Sequence, residues 1–282
     1  MLTLTSIEMN TWIAALLWPL SRILGLITAS PLFGNPSFPR SAKVGLGVLL
    51  AMIIAPTVPA LPAADPLSMA GLMILVQELL IGLAMGFAMR IVFSAVEMAG
   101  EVASMTMGLG FATVFDPQSR GRSSAVSQFV ALIATLAFLS VNGHLVLIEV
   151  LAESFISLPI SATPMSSSMP LELVKWASVI FSTGLQLSLP IVAALLITTV
   201  ALGILTRAAP QLNIFGIGFP ISLGVGMLLL SQTLPYLSVP LQNLFNQGLE
   251  ASRKIPRAAF ERTPVAPVAP VLAPLVAPAP SP

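Results

Sequence analysis

The sequence predicts an all-α, polytopic integral membrane protein with about six long apolar helices. Three observations carry this. Hydrophobic residues make up 56% of the 282 residues and charged residues only 8%, whereas soluble domains carry roughly a quarter charged residues. Mean hydropathy is +0.96. The apolar residues also fall in long runs parted by short turns, on the scale of a bilayer core about 30 Å thick. A net charge of +1 says nothing about partners. No basic cluster is interleaved with aromatics, so nucleic acid is not an expected partner. Cysteine is absent, which excludes disulfides and thiolate metal sites and leaves the compartment open.

The first apolar run is Trp12–Ser30. No Lys or Arg precedes it and the first charge of the N-terminus is Glu8, unlike the basic start of a cleaved signal, so it is expected to remain as the first helix. Pro19 is tolerable there if neighbours re-satisfy the freed carbonyl. Arg22 must face protein or water. Pro31, Gly34, Pro36 and Pro39 make a rigid loop before Arg40 and Lys43. The second run, Val44–Val58, is closed by Pro56–Pro66.

Leu67–Met107 contains no proline. As one helix it would rise about 60 Å, twice a bilayer core. It therefore either breaks near Glu97–Gly100 or projects beyond the membrane inside a larger assembly. Gly82, Gly86, Arg90, Ser94, Glu97, Glu101, Ser104 and Gly108 recur every three or four positions, within an arc of about 120°. The Gly82–Gly86 spacing permits close helix approach. Arg90, Glu97 and Glu101 are placed as a buried polar stripe. It reads either as the wall of a hydrated pore or as helix packing with an ion pair, and both put protein or water on that side.

Ala99–Ser124 breaks the apolar pattern. It holds Met105, Met107, Gly108, Gly110, Phe111 and Phe115, the Asp116-Pro117 break and two arginines, Arg120 and Arg122. Irregular backbone at membrane depth is tolerated only against protein or in a water-filled cavity, which suggests a gate. The fourth run, Val126–Val150, carries Asn142, Gly143 and His144. This lone histidine reads as a proton carrier or as a satisfied packing residue. The fifth run, Trp176–Leu205, contains Pro190. After a turn with Arg207 and Pro210 comes the sixth, Leu212–Leu241, with Gly216, Gly218, Pro220 and Pro235. A helical domain is expected over 1–245. Residues 246–282 are expected as a tail, first polar, then an Ala/Val/Pro repeat over Pro264–Pro282, extended or disordered. The tail reads as passive or as a partner-recruiting segment. Basic residues on both sides of the spans cancel any orientation signal.

Catalytic chemistry is missing. There is one histidine and no cysteine, and no zinc, phosphate-loop or nucleophile-elbow motif. Gly108-Leu109-Gly110 lacks the context of a dinucleotide site. No catalytic, metal or cofactor residue is assigned, and an enzyme is not expected.

Several stretches together resemble one family. Ala99-Gly100-Glu101, Met107-Gly108, Phe111-Ala112 and Asp116-Pro117 resemble the central motif of the flagellar biosynthetic protein FliR family, the R subunit of the flagellar type III export gate. Asn142-Gly143-His144 matches its NGH motif. Pro210-Gln211-Leu212-Asn213-Ile214-Phe215 with Gly218-Phe219-Pro220 resembles its PQxNIF…GFP turn. Trp18-Pro19, Arg22, Pro31, Pro36 and Arg40 also fit. The resemblance covers roughly residues 10–245. Ile221-Ser222 stand where flagellar members often carry a Lys.

The resemblance implies a multi-pass protein of the bacterial inner membrane, in the flagellar basal body. Residues 1–173 would be P-subunit-like and 174–245 a Q-subunit-like hairpin. Implied partners are the P and Q subunits, the switch/autoprotease membrane subunit, unfolded export substrates and membrane lipid, with no cofactor. The loop 108–122 would be the plug of the closed pore, with Met105, Met107, Gly108, Gly110, Phe111, Phe115, Asp116 and Pro117 as plug residues, Phe111 and Phe115 giving it bulk. Neighbouring Met residues of the assembly would form a soft gasket. Asn142, Gly143, His144, Pro210, Gln211, Asn213, Phe215, Gly218 and Pro220 would serve packing or subunit contact. Two other readings compete. One is a small-molecule secondary transporter with Arg90, Glu97, Glu101 and His144 as a proton relay, although no internal repeat of that class is evident. The other is a scaffold whose helices only anchor the tail.

Overall fold

A computed structural model describes residues 6–59, 61–62, 64–111, 124–163, 168–209, 214–258 and 260. These residues form eight α-helices, three short 3-10 turns and no strand. The helices are α1 (Ser6–Ala29), α2 (Arg40–Ile54), α3 (Met69–Thr106), α4 (Ala125–Ser140), α5 (Gly143–Ser157), α6 (Ser168–Ala208), α7 (Ile214–Thr233) and α8 (Ser238–Ala258). Among the described residues, five stretches are helical, long and apolar enough to cross a membrane, or six if the bent pair α4–α5 counts as one span.

α3 is the spine. It runs unbroken through Glu97–Gly100 for 38 residues, so of the two expectations the continuous rod holds. Ser68 caps its start, its Oγ accepting from Gly71 N at 3.1 Å. Glycines inside a helix cost up to about 1 kcal/mol each relative to alanine. Here close packing offsets that cost. A Cβ on Gly82 would lie 1.9 Å from the Arg22 carbonyl oxygen, and one on Gly86 2.6 Å from that of Leu26. The Gly82–Gly86 pair thus lets α1 and α3 touch backbone to backbone. Gly100 does the same for α4, with Ser127 Cα 2.6 Å from its would-be Cβ.

α6 and α8 are both stitched to the spine by side-chain donors to its carbonyls. Trp176 Nε1 on α6 donates to Ala88 O at 3.0 Å. Ser252 Oγ on α8 donates to Met85 O at 2.9 Å. Phe93 of α3, Phe138 of α4 and Phe245 of α8 form an aromatic cluster with centroids 5.2–5.8 Å apart.

Two expectations are corrected. The run Val126–Val150 is not one helix but α4 and α5, bent by 66°. The expected boundary at residue 246 falls inside α8, which continues to Ala258. Leu241, Leu244, Phe245, Gly248, Leu249, Ser252 and Ile255 all face inward. Their spacing of three and four residues makes one apolar stripe on an otherwise polar helix. The helical body therefore includes residues 246–258. The expected tail from Pro264 lies outside the described residues.

Candidate functional site

The segment singled out in the sequence leaves α3 at its C-terminal end and rejoins the fold at α4. Both junctions are held, and to each other. Ser124 N donates to Glu101 Oε2 at 3.0 Å. One turn on, Ser127 Oγ donates to the Glu97 carbonyl at 2.7 Å. Ser124 also caps α4, its Oγ accepting from Ser127 N at 3.1 Å. With Gly100 admitting Ser127 at backbone distance, the two ends of the excursion meet in one neck. An unfilled carboxylate and an orphan helix-end amide satisfy each other there.

On the α3 side of the neck, Met107 is fully buried and Met105 is 61% exposed. Met107 lies on Gly226 of α7, where a Cβ would come within 2.5 Å of Met107 Cγ. Gly108 has φ 88°, a left-handed conformation that side chains disfavour. It turns the chain out of the helix line into a short 3-10 turn, Leu109–Phe111. Among the described residues, a Cβ on Gly110 would meet nothing within 4 Å. Phe115, Asp116 and Pro117 lie outside the described residues, as does the Phe111 side chain.

The stripe residues do not act together. Glu97 and Glu101 are half-buried, but Arg90 is exposed on α3. Among the described residues, Arg90, Glu97, Glu101 and His144 make no hydrogen bond or ion pair with one another. The geometry therefore does not assemble the relay that a transporter reading requires. No group of three or more His, Asp or Glu among the described residues is placed to hold a metal ion.

The Asn142-Gly143-His144 motif is the α4–α5 corner. Asn142 is the only described non-glycine residue with positive φ, at 55°; asparagine tolerates this region better than most side chains. Gly143 is buried against Phe138, whose ring carbon would lie 2.3 Å from a Cβ there. The corner thus seats one member of the aromatic cluster. His144 Nδ1 is buried with no hydrogen-bond partner among the described residues. In the second motif, Gly218 is buried and Pro220 is exposed within α7. Pro210, Gln211 and Asn213 and the Phe215 side chain lie outside the described residues.

The site that sequence reasoning half found is Arg22. Fully buried on α1, it is paired Nε to Glu78 Oε2 at 2.6 Å. Nη1 donates to Ser154 Oγ at 3.0 Å and Nη2 to the Leu158 carbonyl at 2.9 Å. Its guanidinium carbon sits 4.3 Å from the Phe155 ring centroid. One cation ties α1, α3 and the end of α5 together. Burying it without such partners would be prohibitive. A signal for the partner existed: Glu78 is the only acid in α3 before Glu97.

The chain resembles known proteins over most of its length. The family described as bacterial export proteins, family 1, matches residues 13–248. The flagellar biosynthetic protein FliR of Pectobacterium carotovorum subsp. carotovorum is 42% identical over 247 residues, covering 88% of this chain and 94% of that protein. That of Escherichia coli strain K12 is 41% identical over the same shares. That of Bacillus subtilis strain 168 is 30% identical, covering 83% of this chain and 91% of the relative.

Proposed function

The chain belongs to the bacterial export proteins, family 1, the family of the flagellar biosynthetic protein FliR, and from that premise we propose that it is a non-enzymatic gate subunit. It forms, with P and Q subunits, the inner-membrane pore of the flagellar type III export apparatus, next to the switch/autoprotease subunit. Unfolded flagellar proteins cross through that pore. Residues 108–122 act as its plug, and Met105 and Met107 belong to a compliant seal. Methionine suits this, because its flexible, polarizable side chain conforms to varied surfaces.

The observation that supports the plug reading best is the neck. Glu101 and Ser124 are 23 positions apart in sequence and joined at 3.0 Å. An excursion fixed at a narrow base can swing or deform without unpicking the helices that carry it. Met107, buried on Gly226, fixes the α3 side of that base to α7.

Deleting Gly110–Gln118, which leaves Glu101 and Ser124 in place, tests the reading. The complex is expected to assemble, and membranes carrying it to conduct ions well above the wild-type level. Conductance at the wild-type level would overturn the plug assignment. Purification of the tagged chain is expected to bring down two other small membrane proteins. Recovery of the chain alone would remove the multi-subunit pore.

A further inference from the structure

We propose that the C-terminal segment, residues 261–282, docks on its own chain in the groove between α6 and α8. The groove is open, about 410 Å³, with Trp176 and Val179 on one wall and Ala251 and Ile255 on the other. The hydrogen bond from Trp176 Nε1 to Ala88 O holds the indole in a fixed orientation. The rim carries two ion pairs, Lys175–Glu172 at 2.6 Å and Lys254–Glu250 at 2.9 Å. Each rim charge is matched within its own helix, so the groove presents no net field to attract a charged ligand. Its fit is to an uncharged, apolar strand.

The chain supplies such a strand at the right place. Ser168 Oγ donates to the Ala258 carbonyl, which brings the end of α8 to the start of α6. Phe260, turned back by a bond from its amide to Arg257 O at 3.0 Å, packs on the same small cluster as Trp176, formed by Ala84, Ala88 and Ile255 among others. Phe260 therefore lies beside the groove that Trp176 and Ile255 line. After Arg262 no charged residue follows in the sequence. Pro264, Pro267 and Pro270 recur every three residues, as do Val265, Val268 and Val271. A polyproline II helix has three residues per turn, so in that form the prolines would make one edge and the valines another. Such edges are what aromatic-lined grooves bind, because the ligand loses little entropy on docking. The groove runs from Ile255 to Gln247, about 12 Å along α8. At about 3.1 Å per residue, the segment 264–270 spans it.

The absence of cysteine makes the test clean. In the full-length protein, Gln247→Cys in the groove wall is paired with Val268→Cys. The control pairs Val268→Cys with Asn246→Cys, exposed on the same helix turn but outside the groove. Disulfide formation within one chain is expected at least about tenfold faster for the groove pair, since rate follows effective concentration. Replacing Pro264, Pro267 and Pro270 together by Ala is expected to erase that difference. Equal rates for the two pairs overturn the proposal. So do disulfides joining two copies, or a proline triple variant that keeps the full difference. Ser178→Cys repeats the comparison from the α6 wall, so the outcome does not depend on one variant folding.

Discussion

α3 and α6 are near twins on paper, 38 and 41 residues long and both strongly apolar. Yet 67% of the most apolar stretch of α3 is buried within the chain, against 11% for α6. The difference lies in what interrupts the large side chains. α3 has Gly82, Gly86 and Gly100 where other backbones must approach, and Glu78 where a buried cation needs an anion. α6 turns one narrow line inward, Gly184, Ser188, Ile191 and Leu195. Val174, Phe181, Leu185, Leu189, Leu196 and Ile197 stay exposed. In a membrane chain apolarity does not distinguish inside from outside, because lipid is as apolar as a core. Small residues and matched polar groups do.

The sharpest way to break the comparison is to remove a charge from each helix. Glu78→Ala strands Arg22 in the core, and leaving a buried charge unpaired costs about 3–5 kcal/mol. Thermal unfolding of the purified chain should register this as a large fall in midpoint. Arg22→Met with Glu78→Met should recover most of it, because neither charge is then stranded. The parallel change on α6, Lys175→Met, breaks a pair whose side chains are 61% and 43% exposed. It should move stability by less than about 1 kcal/mol. A double variant no better than Glu78→Ala alone would mean that the pair is not what sets α3 apart.

How far the sequence revealed this pattern depends on the kind of signal. The membrane class and the Gly82–Gly86 contact were readable, because each follows from composition or spacing along one segment. The third helix was readable only as a break near Glu97–Gly100 or a continuous rod, and the structure has the rod. Arg22 was readable as needing a partner, but not which one: Glu78 lies 56 positions away, and the pairing exists only once α1 folds against α3. Arg90 was misplaced for a related reason. An arc of about 120° is wide enough to hold both a packed edge and an exposed one, and Arg90 falls on the exposed one. The inward stripe of α8 was legible in principle at Leu241, Leu244, Phe245, Gly248 and Leu249. Its polar average instead suggested a tail, since its other face carries Arg253, Lys254 and Arg257. The α4–α5 corner was marked by Asn142-Gly143, but within a run apolar enough to read as continuous.

A gentler probe adds one methyl group to a glycine in each helix. Gly82→Ala puts a carbon 1.9 Å from the Arg22 carbonyl oxygen and 3.0 Å from Leu26 N. Those neighbours are backbone, so α1 has to move as a unit. Overpacking of this kind costs about 1–3 kcal/mol. Gly82 also sits one turn from Glu78, so moving α1 disturbs the Arg22 pair, and the cost should not add simply to that of Glu78→Ala. Gly203→Ala in α6 meets nothing within 4 Å and removes only the entropic cost of glycine in a helix. It should stabilise the isolated chain by about 0.5–1 kcal/mol. The two substitutions are the same chemical change in helices of like composition, so the opposite signs isolate what a neighbouring backbone does. If Gly203→Ala destabilised the isolated chain as much as Gly82→Ala, the contrast between the helices would not come from packing within the chain.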